Sequence, residues 1–394
     1  MRLTQIDTFL IGLLYLSAAG IVILTVLGVA SAVSALFYLT FILVILLWCS
    51  GALRSVVWTD AVMILTIGLS LAHVITNAWL EEAEISFDYF KKYMMFVCTL
   101  VCFQAVYKLR INDTLERFLL TLNSILIVFL IAYFYTHQAQ VYLIRGRPSA
   151  YLTFGFTNPN LAALFLLCLF TGELYQLFRS RSVPGWIWHL CLAAAVCYFV
   201  WGTRSRNCMI TIVFELVLFV LLQLLPKGFR ISKWFAFLVA VLPMVFVLVY
   251  VAAVRHQWVE QMFAFLIGEG KTLEARMGIW LPALQIYAES PVIGAYSQIS
   301  RGTGMSQMHN THLDILTSYG TAILILTCYL LYNLIHGNRE KIKEETMARI
   351  CFCGTIIMGL GEAAMFSGGL GIYLYAAMFL LLCNKERTLP AQKQ

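Results

Sequence analysis

Charged side chains are scarce in this sequence. Only 12% of its 394 residues are Asp, Glu, Lys or Arg, whereas 61% are hydrophobic. Soluble globular domains are about 45–50% apolar and about 25% charged. The shortage of charge therefore excludes a soluble globular protein, and the apolar excess predicts a chain that lies in a lipid bilayer.

Motifs that hold metal ions or form disulfides are also missing. The sequence contains no Asp-x-Asp pair, and its Cys and His residues lack the spacing of a zinc site. The eleven cysteines lie in or beside apolar segments, where Cys behaves as a small hydrophobic residue. We therefore predict no metal, no cofactor and no structural disulfide.

What the sequence does contain is a series of long apolar segments. The hydrocarbon core of a bilayer needs about 20 apolar residues in a helix, and these segments are too uniformly apolar for the alternating strands of a barrel. We predict an all-α, polytopic membrane protein that forms a single domain over residues 1–394. About twelve spans are expected, over residues 8–28, 32–49, 57–78, 92–107, 118–136, 160–178, 185–201, 207–225, 234–254, 310–335, 348–366 and 369–383.

The longest interruption is the interval 255–308, before the tenth span. Apolar residues such as Trp258, Met262, Phe265 and Trp280 recur there at helical spacing between charged residues. This pattern is typical of helices that lie along a membrane surface. We predict a long, largely helical extracytoplasmic loop.

The basic residues predict the orientation, because Lys and Arg accumulate in cytoplasmic loops. With the N-terminus inside, 17 of the 27 Lys and Arg residues fall on the inner side. We predict that both termini are cytoplasmic. The net charge of +7 follows from this topology, so it gives no reason to expect a nucleic acid partner.

The other ten Lys and Arg residues fall on the outer side, and three arginines among them are of particular interest. Arg204 and Arg206 lie in a very short outward turn, and Arg276 lies in the long loop. One interpretation is that they are snorkelling anchors. The other is an anion site, because the planar donor fork of a guanidinium matches phosphate oxygens.

His309 falls on the same side, where an apolar helix is predicted to begin. A neutral histidine can take a proton from a hydroxyl as a general base, although a capping or core histidine is the alternative. His312 would share the helix face of His309, and Asn310 or Asp314 could fix the imidazole tautomer. Because no third ligand stands nearby, a metal site is disfavoured.

The run Asn158-Pro159-Asn160 has turn chemistry. The proline restricts Asn158 to an extended backbone, and Asn160 is suited to cap a helix that begins at Leu161.

Four ionisable residues are predicted at membrane depth, where such groups are functional candidates by default. They are scattered along the sequence, so we predict a role in helix packing for each: Asp60, His73, Glu215 and Glu362.

An ordered series of residues resembles a known family. Thr203-Arg204-Ser205-Arg206 opens a membrane helix, Arg276 is followed by Trp280, Ala283, Pro291 and Gly294, and His309-Asn310 precedes Leu313 and Gly320. In this order they resemble the O-antigen ligase and polysaccharide polymerase superfamily of bacterial membrane glycosyltransferases. The resemblance covers roughly residues 150–335, whereas the first third is similar only in hydropathy.

The resemblance implies metal-independent transfer of a glycan from undecaprenyl diphosphate to an acceptor sugar hydroxyl of a glycan or glycolipid. The reaction would take place at the outer face of the bacterial cytoplasmic membrane, among membrane lipids. By resemblance, Arg204 or Arg206 and Arg276 would bind the diphosphate and His309 would activate the acceptor. We expect four supporting residues around them: Asn158, Asn160, Asn310 and His312.

Other functions stay open. The loop before His309 is about fifty residues long. In ligases of the resembled family this loop is often longer. A polysaccharide polymerase is therefore nearly as well supported as a ligase. A transporter or flippase of lipid-linked glycans is a third possibility. A flippase would expose charge to both faces of the membrane along a central path, whereas the candidate arginines all lie on the predicted outer side.

Overall fold

The computed structural model shows an overwhelmingly helical chain. It describes residues 4–52, 56–80, 87–137, 141–144, 147–156, 158–224, 231–253, 271–295, 299, 308–337, 343–362, 366 and 372–383. Fourteen α-helices lie in these residues: α1 (Gln5–Val26), α2 (Ala30–Ala52), α3 (Trp58–Leu80), α4 (Phe87–Lys108), α5 (Asp113–Thr136), α6 (Pro159–Arg179), α7 (Val183–Thr203), α8 (Arg206–Leu224), α9 (Lys233–Ala253), α10 (Lys271–Glu289), α11 (Thr311–Tyr319), α12 (Thr321–His336), α13 (Lys343–Ile357) and α14 (Ile372–Leu382).

Eight of these helices are long and apolar enough to cross a membrane, namely α1 to α3 and α5 to α9. Helices α12 and α14 are apolar but shorter, with 16 and 11 residues. The chain is therefore a polytopic, membrane-embedded helical protein. The predicted number of about twelve spans would require shorter helices to cross as well.

The prediction of an all-α chain missed one short hairpin. Strands β1 (Val141–Ile144) and β2 (Arg147–Ala150) pair antiparallel between α5 and α6. Val141 lies opposite Ala150, and Ile144 lies opposite Arg147.

The predicted tenth span, 310–335, is two helices and not one. The break between α11 and α12 is at Gly320, whose φ is 90°. A Cβ atom there would lie 1.9 Å from the carbonyl oxygen of Val292. Only glycine allows this backbone and this close approach.

The predicted eleventh span, 348–366, begins and ends earlier than expected. Helix α13 begins at Lys343 and stops at Ile357, and the 3-10 turn Met358–Leu360 follows. Residues 363–365 and 367–371, at the junction with the predicted twelfth span, lie outside the described residues.

The long predicted loop contains one described helix, α10, followed by a turn at residues 290–293. A helical loop is therefore confirmed for residues 271–289. Trp258, Met262 and Phe265 lie outside the described residues.

Polar contacts place the ends of successive helices on alternate faces of the bundle. On the face where α1 begins, here called the N-terminal face, the ends of neighbouring helices are joined by Asp7 with Ser50, Asp60 with Lys108, Glu116 with Arg179, and Lys343 with the carbonyl of Gln223. On the opposite face, Gly155 lies against the end of α1, and the Leu152 amide donates to the Gly202 carbonyl at 3.1 Å.

Exposed aromatic side chains mark both faces. Trp58 and Trp234, at the starts of α3 and α9, are each 72% exposed on the N-terminal face. Trp79 and Trp201, 77% and 71% exposed, lie near the ends of α3 and α7 on the opposite face. Two such belts are typical of proteins whose helices cross a membrane, because tryptophan favours the interface with water.

Candidate active site

The candidate site is built on residues 358–362, the 3-10 turn Met358–Leu360 with Gly361 and Glu362, which follow α13 and are called the 358–362 turn. The carbonyl oxygens of this turn accept hydrogen bonds from side chains of α8, α10 and the start of α11. The donors are Asn207 to Met358 (2.7 Å), Asn310 to Leu360 (3.1 Å), Arg276 to Gly361 (2.7 Å) and Thr311 to Glu362 (3.1 Å).

Two glycines let the other helices approach this turn. A Cβ atom at Gly359 would lie 2.6 Å from the Thr311 hydroxyl oxygen. A Cβ atom at Gly361 would lie 3.0 Å from both Arg276 Nη1 and Asn207 Cγ. The turn therefore packs against α8, α10 and α11 at distances that leave no room for larger residues.

The carboxylate of Glu362 is the centre of the site. Its Oε1 accepts from Asn160 Nδ2 at 2.8 Å and lies 3.5 Å from Arg276 Nη2. Its Oε2 lies 3.0 Å from His309 Nδ1. We call Asn160, Arg276, His309 and Glu362 the Glu362 cluster. It joins the beginning of α6, the first half of α10, the residues before α11 and the turn after α13.

The Glu362 cluster is partly open to solvent. The His309 side chain is 28% exposed and the Arg276 side chain is 23% exposed, whereas Glu362 is 9% exposed. A buried carboxylate thus holds two side chains that reach the surface of the bundle. Such an arrangement fixes the two reaching groups and leaves them accessible to a ligand.

His309 has an unusual backbone, with a φ of 50°. Because a carboxylate oxygen can only accept, Nδ1 carries the proton shared with Glu362, and in the neutral ring the lone pair then lies on Nε2. Within the described residues Nε2 has no hydrogen-bond partner. This tautomer of the neutral ring is the one that a general base needs.

Asn310 supports this arrangement in a way that differs from the prediction. Its Oδ1 caps α11 by accepting from the Leu313 amide at 2.9 Å. Its Nδ2 donates to the Pro243 carbonyl of α9 at 2.9 Å and also reaches the 358–362 turn. Asn310 therefore anchors the start of α11 and does not fix the His309 tautomer.

The prediction that His312 shares the helix face of His309 is wrong. His312 is 1% exposed, and its Nε2 lies 2.7 Å from the Ala240 carbonyl of α9. Asp314, the other suggested partner of the imidazole, instead pairs with Lys92 at 2.8 Å. The structure thus assigns His312 to the core between α9 and α11, outside the Glu362 cluster.

Asn158 and Asn160, at the start of α6, take roles that differ from the predicted ones. Asn158 is the N-cap, because its Oδ1 accepts from the Asn160 amide at 2.8 Å and α6 begins at Pro159. Asn160 was predicted to cap a helix from Leu161, but its side chain binds Glu362.

Arg204 and Arg206 precede, by three residues and by one, the Asn207 that binds the 358–362 turn, and no described contact joins either of them to the Glu362 cluster. Arg204 caps α7 with a φ of 56°, and its guanidinium lies 5.3 Å from the centre of the Tyr151 ring. Arg206 is the first residue of α8, directly before the Asn207 that binds the 358–362 turn. Both arginines are exposed. They form a cationic rim at the end of α7 and the start of α8.

Glu362 was predicted as a packing residue, and Asn207 was not singled out at all. The other three ionisable residues at membrane depth do contact neighbouring helices: Asp60 binds Lys108, His73 Nδ1 lies 2.6 Å from the Tyr319 carbonyl, and Glu215 contacts Thr171. A usable signal for Glu362 was its position in Gly359-Leu360-Gly361-Glu362, where two glycines end an apolar helix.

The charges of the site are unevenly compensated. Arg276 is close to the carboxylate of Glu362, whereas Arg204 and Arg206 have no carboxylate partner among the described residues. The described part of the chain brings no three His, Cys, Asp or Glu side chains into one metal-sized group. The arrangement offers a base, an adjacent cation and a cationic rim, which suits proton abstraction beside a bound anion.

No protein-family model, curated protein or solved structure matches this chain.

Proposed function

We propose that this protein is a metal-independent membrane glycosyltransferase of the O-antigen ligase type. In this proposal it transfers a glycan from undecaprenyl diphosphate to an acceptor sugar hydroxyl. The observation that carries the proposal is the shared contact of His309 and Arg276 with the Glu362 carboxylate. It places a candidate base next to a candidate phosphate ligand, although 33 residues separate them in the sequence.

In the proposed reaction the acceptor oxygen attacks the anomeric carbon of the donor sugar. The bond between that carbon and the diphosphate oxygen breaks, and the proton of the acceptor hydroxyl passes to His309 Nε2. The imidazolium that forms is stabilised by the Glu362 carboxylate on Nδ1. The diphosphate leaves with its bonding electron pair, and fixed cations stabilise this negative charge.

The arginines would divide the work of binding the diphosphate. Arg204 and Arg206 offer exposed guanidinium groups without a carboxylate partner among the described residues. Arg276 binds a backbone carbonyl at 2.7 Å but approaches Glu362 only at 3.5 Å. A hydrogen bond of that length is weak, so Arg276 retains donors for a phosphate oxygen.

The proposed location is the bacterial cytoplasmic membrane, with both termini cytoplasmic and the site facing outward. The excess of Lys and Arg in the inner loops supports this orientation. The Glu362 cluster includes Asn160 at the start of α6, which is the end of that helix remote from the N-terminal face.

A polysaccharide polymerase of the same superfamily would use the same chemistry, and the Glu362 cluster does not discriminate between the two. A flippase is less well supported. On the N-terminal face, Asp60 is joined to Lys108 and Glu116 to Arg179 in ion pairs. Such pairs pack helices together and provide no open path for a charged headgroup.

The decisive experiment replaces His309 or Arg276 with alanine in the purified full chain. We expect loss of transfer from an undecaprenyl-diphosphate glycan by about 100-fold or more, because a base and an anion ligand each contribute on that scale. H137A is the matched control, because His137 is an exposed histidine at the end of α5. Full transfer by both H309A and R276A, each normalised to folded protein, would refute the proposal.

Surface glycans of cells that lack the protein distinguish the two reactions. Accumulation of free lipid-linked polymer would indicate a ligase. Accumulation of single lipid-linked repeat units would indicate a polymerase.

A further inference from the structure

Met308, the residue before His309, has both of its backbone polar groups held by buried side chains. The Met308 amide donates to Asp314 Oδ1 at 3.1 Å. The Met308 carbonyl accepts from Trp280 Nε1 at 2.7 Å. Met308 itself is 2% exposed and Trp280 is fully buried. The two peptide planes that flank the Met308 Cα are therefore both held, and with them the direction in which the chain enters His309.

Trp280 connects the Met308 carbonyl to the helix of Arg276. The two residues are four apart in α10, so their side chains lie on the same face of the helix. Phe246 and Tyr250 of α9 pack edge-on against the indole at centroid distances of 6.1 and 5.6 Å. The Met308 carbonyl is thus bound to α10, the helix that supplies Arg276 to the Glu362 cluster.

The hydrogen bond of the Met308 amide depends on a buried ion pair. Asp314 Oδ1 accepts from both the Met308 amide and Lys92 Nζ, the latter at 2.8 Å. The side chains of Lys92 and Asp314 are only 8% and 4% exposed. Lys92 belongs to α4, which contributes no residue to the Glu362 cluster. A carboxylate buried this deeply needs a cation, because a single uncompensated charge is strongly unfavourable away from water.

We propose that Lys92 is a positioning residue for His309, acting through Asp314 and the Met308 amide. This rests on the proposed role of His309 as the base. Without the ammonium group, the Asp314 carboxylate would turn to other donors, and it would no longer hold the Met308 amide. The His309 backbone, with its φ of 50°, would relax, and the ring would lose its alignment with Glu362.

The first test is chemical modification of histidines in the full-length protein by diethyl pyrocarbonate. Peptide mass spectrometry would give the rate at each ring, with exposed His137 as the reactive reference and buried His312 as the reporter of local unfolding. In K92M we expect His309 to react faster relative to His137, because a ring released from Glu362 would become more exposed than its present 28%. His312 should stay unreactive.

Two outcomes would overturn the proposal. An unchanged His309 rate in K92M would show that the ring keeps its place without the lysine. Simultaneous labelling of His312 would show that α11 unfolds, which is a structural role. K91M is the matched control, because Lys91 is the exposed neighbour of Lys92 on the same helix, and its His309 rate should equal that of the wild type.

A second variant tests the charge compensation directly. K92M/D314N removes both charges but keeps a side-chain amide oxygen that can accept from the Met308 amide. We expect this double variant to restore a slow, wild-type rate of His309 modification. Fast modification in the double variant would contradict the route through Asp314.

Transfer kinetics separate this proposal from the proposed function. In K92M we expect kcat to fall about 10- to 100-fold with an unchanged KM for the donor, since a misplacement of about 1 Å costs on this scale. If H309A transfers glycan normally, the proposed function fails, whereas the modification rates still report whether Lys92 positions the ring. If K92M keeps the wild-type kcat while H309A is inactive, only the positioning role fails.

Discussion

Replacement of Glu362 by glutamine should disable the site whichever way the new amide turns. Both carboxylate oxygens face donors: Asn160 and Arg276 on Oε1, and His309 on Oε2. In one orientation the NH2 group opposes Asn160 and Arg276. In the other it opposes His309 and favours the tautomer whose Nε2 carries the proton, so that this nitrogen can no longer act as a base.

The two orientations set the expected magnitude. Loss of one hydrogen bond to a charged group costs about 1.5–3 kcal/mol, which lowers kcat about 10- to 150-fold. Locking the wrong tautomer costs more, up to about 10⁴-fold where a carboxylate that orients a catalytic histidine becomes an amide. We therefore expect the kcat of E362Q to be at least about tenfold below that of the wild type.

The assay is transfer from an undecaprenyl-diphosphate glycan by protein in proteoliposomes, normalised to folded protein by size-exclusion chromatography. E215Q is the matched control, because Glu215 is a fully buried carboxyl of α8 whose hydrogen-bond partner in the described residues is Thr171. E215Q should stay within about twofold of the wild type, as expected for a residue outside the site. A wild-type kcat in folded E362Q would refute the role of Glu362.

Three further substitutions test the packing and the cationic rim. Gly320→Ala places a Cβ where φ is 90° and a carbonyl oxygen lies 1.9 Å away. Such strain should lower the free energy of unfolding by at least about 1–3 kcal/mol, and the thermal midpoint should fall with it. An unchanged midpoint would contradict the break at Gly320. Gly354→Ala should destabilise too, because its Cβ would lie 1.8 Å from Glu215 Oε1, whereas Gly278→Ala, with open space around it, should not. Arg206→Ala should raise the donor KM, more strongly at low salt, with kcat retained; a salt-independent KM would argue against an anion rim.

The long helices were the part of the fold that hydropathy could predict. Each of the first nine predicted spans corresponds to a helix, because a run of about 20 apolar residues has few other solutions in a bilayer. The later spans were harder, since hydropathy does not register a break at one glycine. Gly320 and the glycines of the 358–362 turn interrupt apolar runs without changing their mean hydropathy.

The centre of the site was beyond reach for a related reason. The partners of Glu362 are 202, 86 and 53 residues away in the sequence, at Asn160, Arg276 and His309. Local spacing cannot reveal such contacts, so Glu362 was assigned to helix packing. Arg276 and His309 were singled out because an arginine on the predicted outer side and a polar residue at the start of an apolar helix both need a reason.

The prediction that His309 and His312 share a helix face failed for a simple geometrical reason. Residues three apart share a face only when both belong to the helix. Here α11 begins at Thr311, and His309 precedes it with a φ of 50°. The ring of His309 therefore turns toward the 358–362 turn, while His312 follows the helix and faces α9.

The break after α13 and the carboxylate at its end have one physical basis. A helix that stops within a membrane protein leaves carbonyl groups that lipid cannot satisfy, so such backbone occurs where protein or water surrounds it. Side chains of α8, α10 and the start of α11 satisfy the turn. One of these donors, Arg276, also carries the charge that a buried carboxylate requires. The contacts that satisfy the break thus bring the Arg276 cation to Glu362. Glu362 in turn fixes His309, the partly exposed side chain of the cluster that can accept a proton.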